Sequence, residues 1–179
     1  MKETRRTLGG AAVLAAAHAA AISATLAAAP AFAAEKLTMQ SATLTTAAAA
    51  KVAEAALADC QKKGYVVAVA VVDRGGAPLA LLRDNLAGSH TPETAIGKAW
   101  TAVSFRNDTS NLLEMTAPGK PSAGLRGLPR VVMLGGGLTI NAKGLLLGGI
   151  GVSGAPGGDL DDACGKAGLK AIQDSLELE

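Results

Sequence analysis

Between residues 135 and 158 glycine stands at 135, 136, 137, 144, 148, 149, 151, 154, 157 and 158, separated by short runs of Leu, Ile and Val. A glycine inside a helix costs about 1 kcal/mol relative to alanine, so this density excludes a helix there. It fits tight turns, positive φ angles and close approach of one backbone to another. The runs between the glycines are apolar, so the segment is buried and yet stripped of side chains. It makes room for a neighbouring strand, a second subunit or a flat ligand.

The N-terminal end has another character. Lys2, Arg5 and Arg6 precede a weakly hydrophobic, alanine-rich stretch from Leu8 to Pro30, followed by Ala31-Phe32-Ala33. A positive start, an apolar middle and a small-residue exit form a secretory signal peptide over residues 1–33. Thr4-Arg5-Arg6-Thr7-Leu8 also loosely matches a twin-arginine signal, so the general secretory and twin-arginine routes both stay open. The expected location is periplasmic or secreted. After cleavage nothing remains that would insert stably in a membrane. Residues 34–42 are expected to be an exposed leader, and 43–179 the folded domain.

Losing Lys2, Arg5, Arg6 and Glu3 takes the basic residues from 17 to 14 and the acidic ones from 15 to 14, so the net charge falls from +2 to zero. A neutral domain has no basic footprint for nucleic acid. Its aromatic residues are Tyr65, Trp100 and Phe105, too few for base-stacking platforms. Cys60 and Cys164 are an even pair, which in an oxidising compartment invites a disulfide; two buried thiols are the alternative.

The pattern along the domain reads helix, two strands, helices, three strands, helix. Residues 43–63 hold Ala, Leu, Glu and Lys without Pro or Gly, a helix with Thr45 or Thr46 as cap and Gly64 as stop. Val66–Val72 and Pro78–Arg83 form a hairpin around Asp73-Arg74-Gly75-Gly76. Thr91 caps a helix to about Phe105, with Pro92 at its first position, and Asp108 or Thr109 opens a short helix through Met115. Arg130–Leu134, Leu138–Asn141 and Leu145–Val152 are the remaining strands. Asp159 opens the last helix, with Asp161 and Asp162 in its first turn. This order describes an α+β domain with one antiparallel sheet. If the first and last helices cover one sheet face in antiparallel fashion, the end of one meets the start of the other, which brings Cys60 towards Cys164.

His90 is the sharpest chemical candidate, being the sole histidine beyond residue 33. It sits just before a helix and has the chemistry of a haem or metal ligand, although an exposed helix-start histidine is the plainer reading. Arg83 and Lys98 are candidates to pair with a carboxylate or propionate, or are solvated charges. Gly135-Gly136-Gly137 lacks the spacing and lysine of a phosphate loop. No serine lies in a nucleophile-elbow motif. The acidic cluster Asp159, Asp161 and Asp162 reads as complementing the helix dipole before it reads as a cation site.

Val69-Ala70-Val71-Val72-Asp73-Arg74-Gly75-Gly76, Arg83, Ala87-Gly88-Ser89-His90-Thr91, Lys98-Ala99-Trp100-Thr101-Ala102 and Phe105-Arg106 occur in one order. Gly135-Gly136-Gly137-Leu138-Thr139-Ile140, Gly149–Gly158 and Asp161-Asp162-Ala163-Cys164 complete the set. Together, from about Leu44 to Ile172, they resemble the GlcG/HbpS family of haem-binding proteins, also described as a haem-degrading domain. The resemblance implies a profilin-like α/β/α sandwich with a five-stranded antiparallel sheet. It implies homo-oligomers, octamers in some members, and in some a membrane sensor as partner; as a domain of larger proteins the family also occurs in cobalamin enzymes.

For this chain it implies an exported protein that sequesters, carries or senses haem or another tetrapyrrole. His90 is then the iron ligand, Arg83 or Lys98 hold the propionates, and Met133 with Leu and Val side chains forms a wall above a floor of Gly135, Gly136 and Gly137. Two other classes stay open. One is an enzyme for oxidative haem breakdown or for a small hydroxy or oxo acid, for which His90 and scattered carboxylates are the available bases. The other is an oligomeric signalling or structural module without a small ligand.

Overall fold

Along Val67–Val72 every residue is inaccessible to solvent, and successive side chains point to opposite sides. A strand buried on both faces needs a layer above and a layer below. A computed structural model, which describes residues 36–178, shows both layers. The signal-peptide reading lies outside the described residues. The described part of the leader, 36–42, is exposed and irregular.

Nine elements follow: α1 (Thr46–Lys62), β1 (Ala68–Asp73), β2 (Pro78–Arg83), α2 (Thr91–Phe105), α3 (Thr109–Met115), a 3-10 turn (Ala123–Gly127), β3 (Gly137–Ala142), β4 (Leu145–Ser153) and α4 (Gly158–Leu178). Four strands form one antiparallel sheet in the order β2-β1-β4-β3. Val67, Val69 and Val71 join Ile150 and Val152 on the face that packs against α1 and α4. Ala68 and Ala70 face the other way, against Ala95 of α2, while Val72 meets Ala99 and Val103.

The two faces differ in side-chain size. Towards α1 and α4 the sheet presents β-branched residues. Towards α2 it presents alanine and glycine, so the helix backbone settles almost onto the strands. A Cβ built on Gly151 would stand 1.9 Å from the Ala95 carbonyl oxygen and 2.8 Å from the Ala99 nitrogen. At Gly151 the room is taken by none of the three occupants expected from the sequence, a strand, a second subunit or a flat ligand, but by a helix of the same chain.

Local sequence accounts for the element ends. The Thr45 hydroxyl accepts from the Ala48 amide as the cap of α1. Asp108 is the N-cap residue of α3, and its carboxylate accepts from the amide of Thr139 at 2.9 Å, tying α3 to β3. At α2 the cap falls on His90, one residue before the expected Thr91. Thr91 instead donates its hydroxyl to the Gly88 carbonyl at 2.8 Å.

A fifth strand at Arg130–Leu134 is not formed. Arg130 has φ 66°, a left-handed conformation that breaks an extended run. The Val132 amide donates to the Thr101 hydroxyl of α2 at 2.9 Å instead of to a neighbouring strand, and the Arg130 guanidinium stacks 4.7 Å above the Trp100 ring. The segment is held along α2 by these contacts and is not part of the sheet.

Cys60 near the end of α1 and Cys164 in the second turn of α4 are bonded, with Cα atoms 5.4 Å apart and no exposed surface. No helix among the described residues is long and apolar enough to cross a membrane.

Candidate functional site

The triple glycine ends against a cluster of polar groups. Gly136 has φ 110°, and a Cβ there would meet the Val152 oxygen at 2.5 Å and the Lys98 Nζ at 2.9 Å, so glycine is required at this crossing. Its amide donates to Asp162 Oδ1 at 2.6 Å, and the Gly137 amide donates to the Thr109 hydroxyl at 2.8 Å. The other Asp162 oxygen accepts from the Ser110 hydroxyl.

Beside this turn Lys98 rises from α2. Its Nζ donates to Asp161 Oδ2 at 2.7 Å and to the Val152 carbonyl at 2.8 Å, and both charged side chains are almost inaccessible, at 3% and 4%. Asp161 Oδ1 accepts from the Ala155 amide. The pair therefore joins α2, β4, the glycine turn and α4. Burial is the largest influence on Asp161 and pushes its carboxyl above the usual 3.8, while the hydrogen bond and charge of Lys98 pull in the other direction.

These groups floor an open cleft of about 640 Å³. Gly135, Ser110 and the 153–158 turn form its sides, and Val66, Leu113 and Leu134 supply partly exposed apolar surface. Glu114 and Asp159 stand at the border. His90 stands on the cleft wall at the start of α2. The residue is exposed, its side chain makes no capping hydrogen bond, and its ring lies against Gly88, where a Cβ would come within 2.9 Å of Nδ1. An imidazole so placed is accessible to a metal centre entering the cleft.

The cleft thus brings together three of the expected residues, His90, Lys98 and Gly135. The others lie elsewhere. Arg83, on β2, donates its guanidinium to the Ala87 carbonyl and braces the loop leading to His90. Gly136 and Gly137 pack under α2 and α4, and Met133 is buried in the segment along α2. The cleft also holds Asp161, expected only to complement the helix dipole or to bind a cation, and Ser110 with the 153–158 turn, which the sequence did not single out as a site. Their signal was a lysine at a core position of an otherwise apolar helix face, which demands a buried carboxylate. The two adjacent acids of α4 were the available partners. Among the described residues no three His, Cys, Asp or Glu side chains cluster in a way that would hold a metal ion.

The family described as haem degrading protein HbpS-like matches residues 44–170. The chain belongs to that HbpS-like family. The structure of Streptomyces reticuli HbpS bearing two Glu-to-Asp substitutions is similar at 42% identity and a TM-score of 0.73, covering 82% of this chain and 98% of that one. A PduOC:heme complex is similar at 30% identity and a TM-score of 0.69, covering 73% and 95%. An uncharacterized 15.0 kDa protein of Citrobacter freundii is 36% identical over 117 residues, 64% of this chain and 82% of its own length. The fold of these HbpS-like relatives agrees with the α+β architecture described above, here with four strands.

Proposed function

We propose that this HbpS-like chain is an exported haem-binding protein that takes haem into the cleft between α2, α3 and the 153–158 turn, where His90 would hold the iron. The observation that carries the reading is the accessible imidazole on the wall of that cleft. The residues present fit the group in three respects. The volume of about 640 Å³ lies inside the roughly 300–1,000 Å³ usual for small-molecule sites. Val66, Leu113 and Leu134 offer apolar contact for a macrocycle. The imidazole nitrogens are not committed to capping the helix. Bound haem supplies an iron centre whose ligand exchange and redox state the surrounding residues tune.

The chain's own residues divide the work. His90 presents a nitrogen, Gly88 leaves space for the ring to lie flat on the backbone, and the Arg83 contact with Ala87 steadies the loop. Lys98 is neutralised by Asp161, and Glu114 and Asp159 oppose a carboxylate at that border, so the cleft favours the iron and the apolar part of the porphyrin over its propionates. Export is supported by the N-terminal pattern of residues 1–33 and by a disulfide of the kind that persists outside the cytoplasm. Self-association belongs to the same reading, because Leu86 and Leu145, outside the cleft, leave exposed apolar side chains for a second copy to cover.

The test is titration of the purified protein with hemin, followed at the Soret band. Saturable binding with a band position that changes in His90→Ala is expected. Identical spectra and affinities for both proteins would remove His90 from the site.

A further inference from the structure

We propose that Lys98 is a carbonyl-trapping amine, and that the cleft accepts a small aldehyde or ketone which it holds as an imine. A lysine exposed at 3% of its side chain does not serve as a solvated charge, yet it lines an open cleft. An ammonium has three donors, and two are engaged, by Asp161 Oδ2 and by the Val152 carbonyl. The third is left for a group arriving in the cleft. Gly136 keeps the space beside Nζ open, since a Cβ there would close to 2.9 Å.

The partner is suited to the chemistry. Nζ and Oδ2 share a short hydrogen bond of 2.7 Å, and burial raises the proton affinity of Asp161. The bond gives the Lys98 proton an adjacent acceptor, so Nζ can be freed for attack at the moment of reaction without help from solvent. Removal from bulk water is one of the ways in which lysines serve as nucleophiles. The titratable group hydrogen-bonded to Nζ is Asp161 of α4, whose charge is felt by the neighbouring Asp162; around the cleft stand His90 at the start of α2, Glu114 of α3 and Asp159 of α4.

The step balances within the site. The Nζ lone pair attacks the carbonyl carbon, forming a C–N bond, and the C=O π pair moves to oxygen. The carbinolamine oxygen takes the Asp161 proton together with one from nitrogen and leaves as water. The nitrogen lone pair closes the C=N bond, and the resulting iminium faces the Asp161 carboxylate. One amine, one acid and one carbonyl compound give one iminium, one carboxylate and one water; no oxidant or reductant is consumed. Val66, Leu113 and Leu134 suit a short apolar substituent on that carbonyl.

The experiment uses the full chain without hemin and the probe pentane-2,4-dione, which condenses with a free amine to a stable enaminone that absorbs in the near ultraviolet. An ordinary lysine, with pKa about 10.4, presents roughly one free amine in 10³ at pH 7. Lys98, whose Nζ has an acid 2.7 Å away to take its proton, is expected to take up one equivalent at least ~10-fold faster than the exposed lysines, mapped by mass to the peptide containing Lys98. Lys98→Met should lose the fast equivalent. Should that variant fail to fold, the peptide map and the relative rates in the unaltered protein decide alone. Modification confined to exposed lysines such as Lys36 and Lys120, with Lys98 untouched, would overturn the proposal whatever hemin does.

Discussion

Gly151→Ala places one methyl group where the structure has least space for it. The new Cβ would lie 1.9 Å from the Ala95 carbonyl oxygen and 2.8 Å from the Ala99 nitrogen. Non-bonded carbon contacts settle near 3.5 Å, so α2 must move from the sheet by about 1.5 Å or β4 must bend away. Both obstacles are backbone, and neither can rotate aside. Overpacking of this kind costs about 1–3 kcal/mol, and occasionally more. Alanine returns about 0.4–1 kcal/mol by restricting the unfolded chain. A net loss of about 1–2 kcal/mol follows. With a urea dependence of about 2 kcal/mol/M, the midpoint falls by about 0.5–1 M. Urea unfolding followed by circular dichroism reads this directly. Gly124→Ala is the control: it has no neighbour within 4 Å of the added carbon and no positive φ, and its midpoint should stay within the equivalent of about 0.5 kcal/mol. A Gly151→Ala midpoint equal to or above the unaltered protein would refute the claim that glycine is there to admit α2. Because α2 carries Lys98 and begins beside His90, the same variant should also weaken hemin binding.

Three further outcomes are expected. Replacing Cys60 and Cys164 by alanine opens a link between positions 104 apart, and should cost about 2–5 kcal/mol in thermal unfolding, with no further loss on adding reductant. Asp161 has its carboxyl pushed up by burial, so the folded state holds that proton more tightly than the unfolded chain does; its contribution is greatest below pH 3.8 and fades as pH rises through the raised range. The stability advantage of the unaltered protein over Asp161→Asn should accordingly shrink as pH climbs from about 4 towards neutrality, and an advantage that grew with pH would contradict the direction of the shift. Thr109→Val leaves the Gly137 amide buried without its 2.8 Å partner and should destabilise by about 1–3 kcal/mol in the same urea assay, whereas Ser122→Ala, away from that contact, should not.

Much of the fold was legible because the signals were local. Thr45 capping α1, Pro78 opening β2, and Asp108 ahead of α3 each act on the next few residues, and those elements stand where the sequence puts them. The antiparallel placing of α1 and α4 made Cys60 and Cys164 a sensible pair, and they are bonded. Arg130–Leu134 misled because Val131, Val132 and Met133 carry strand-forming composition. What decides there is non-local: Thr101 takes the Val132 amide, Trp100 takes the Arg130 side chain, and a left-handed Arg130 follows. The cleft was half legible. His90 was evident by its rarity, whereas the Lys98–Asp161 contact joins residues 63 positions apart. Arg83 looked available for an anion because nothing in the sequence tells that its guanidinium folds back onto Ala87.

The central claim is that the His90 imidazole meets the iron. His90 is the sole histidine beyond residue 33 and lies in the cleft, so the exported domain labelled with nitrogen-15 at histidine gives ring signals that His90→Ala assigns at once. On addition of one equivalent of hemin the His90 ring nitrogens should shift far outside the usual imidazole range or broaden beyond detection. Saturable hemin binding that leaves the His90 signals where they were would contradict the account.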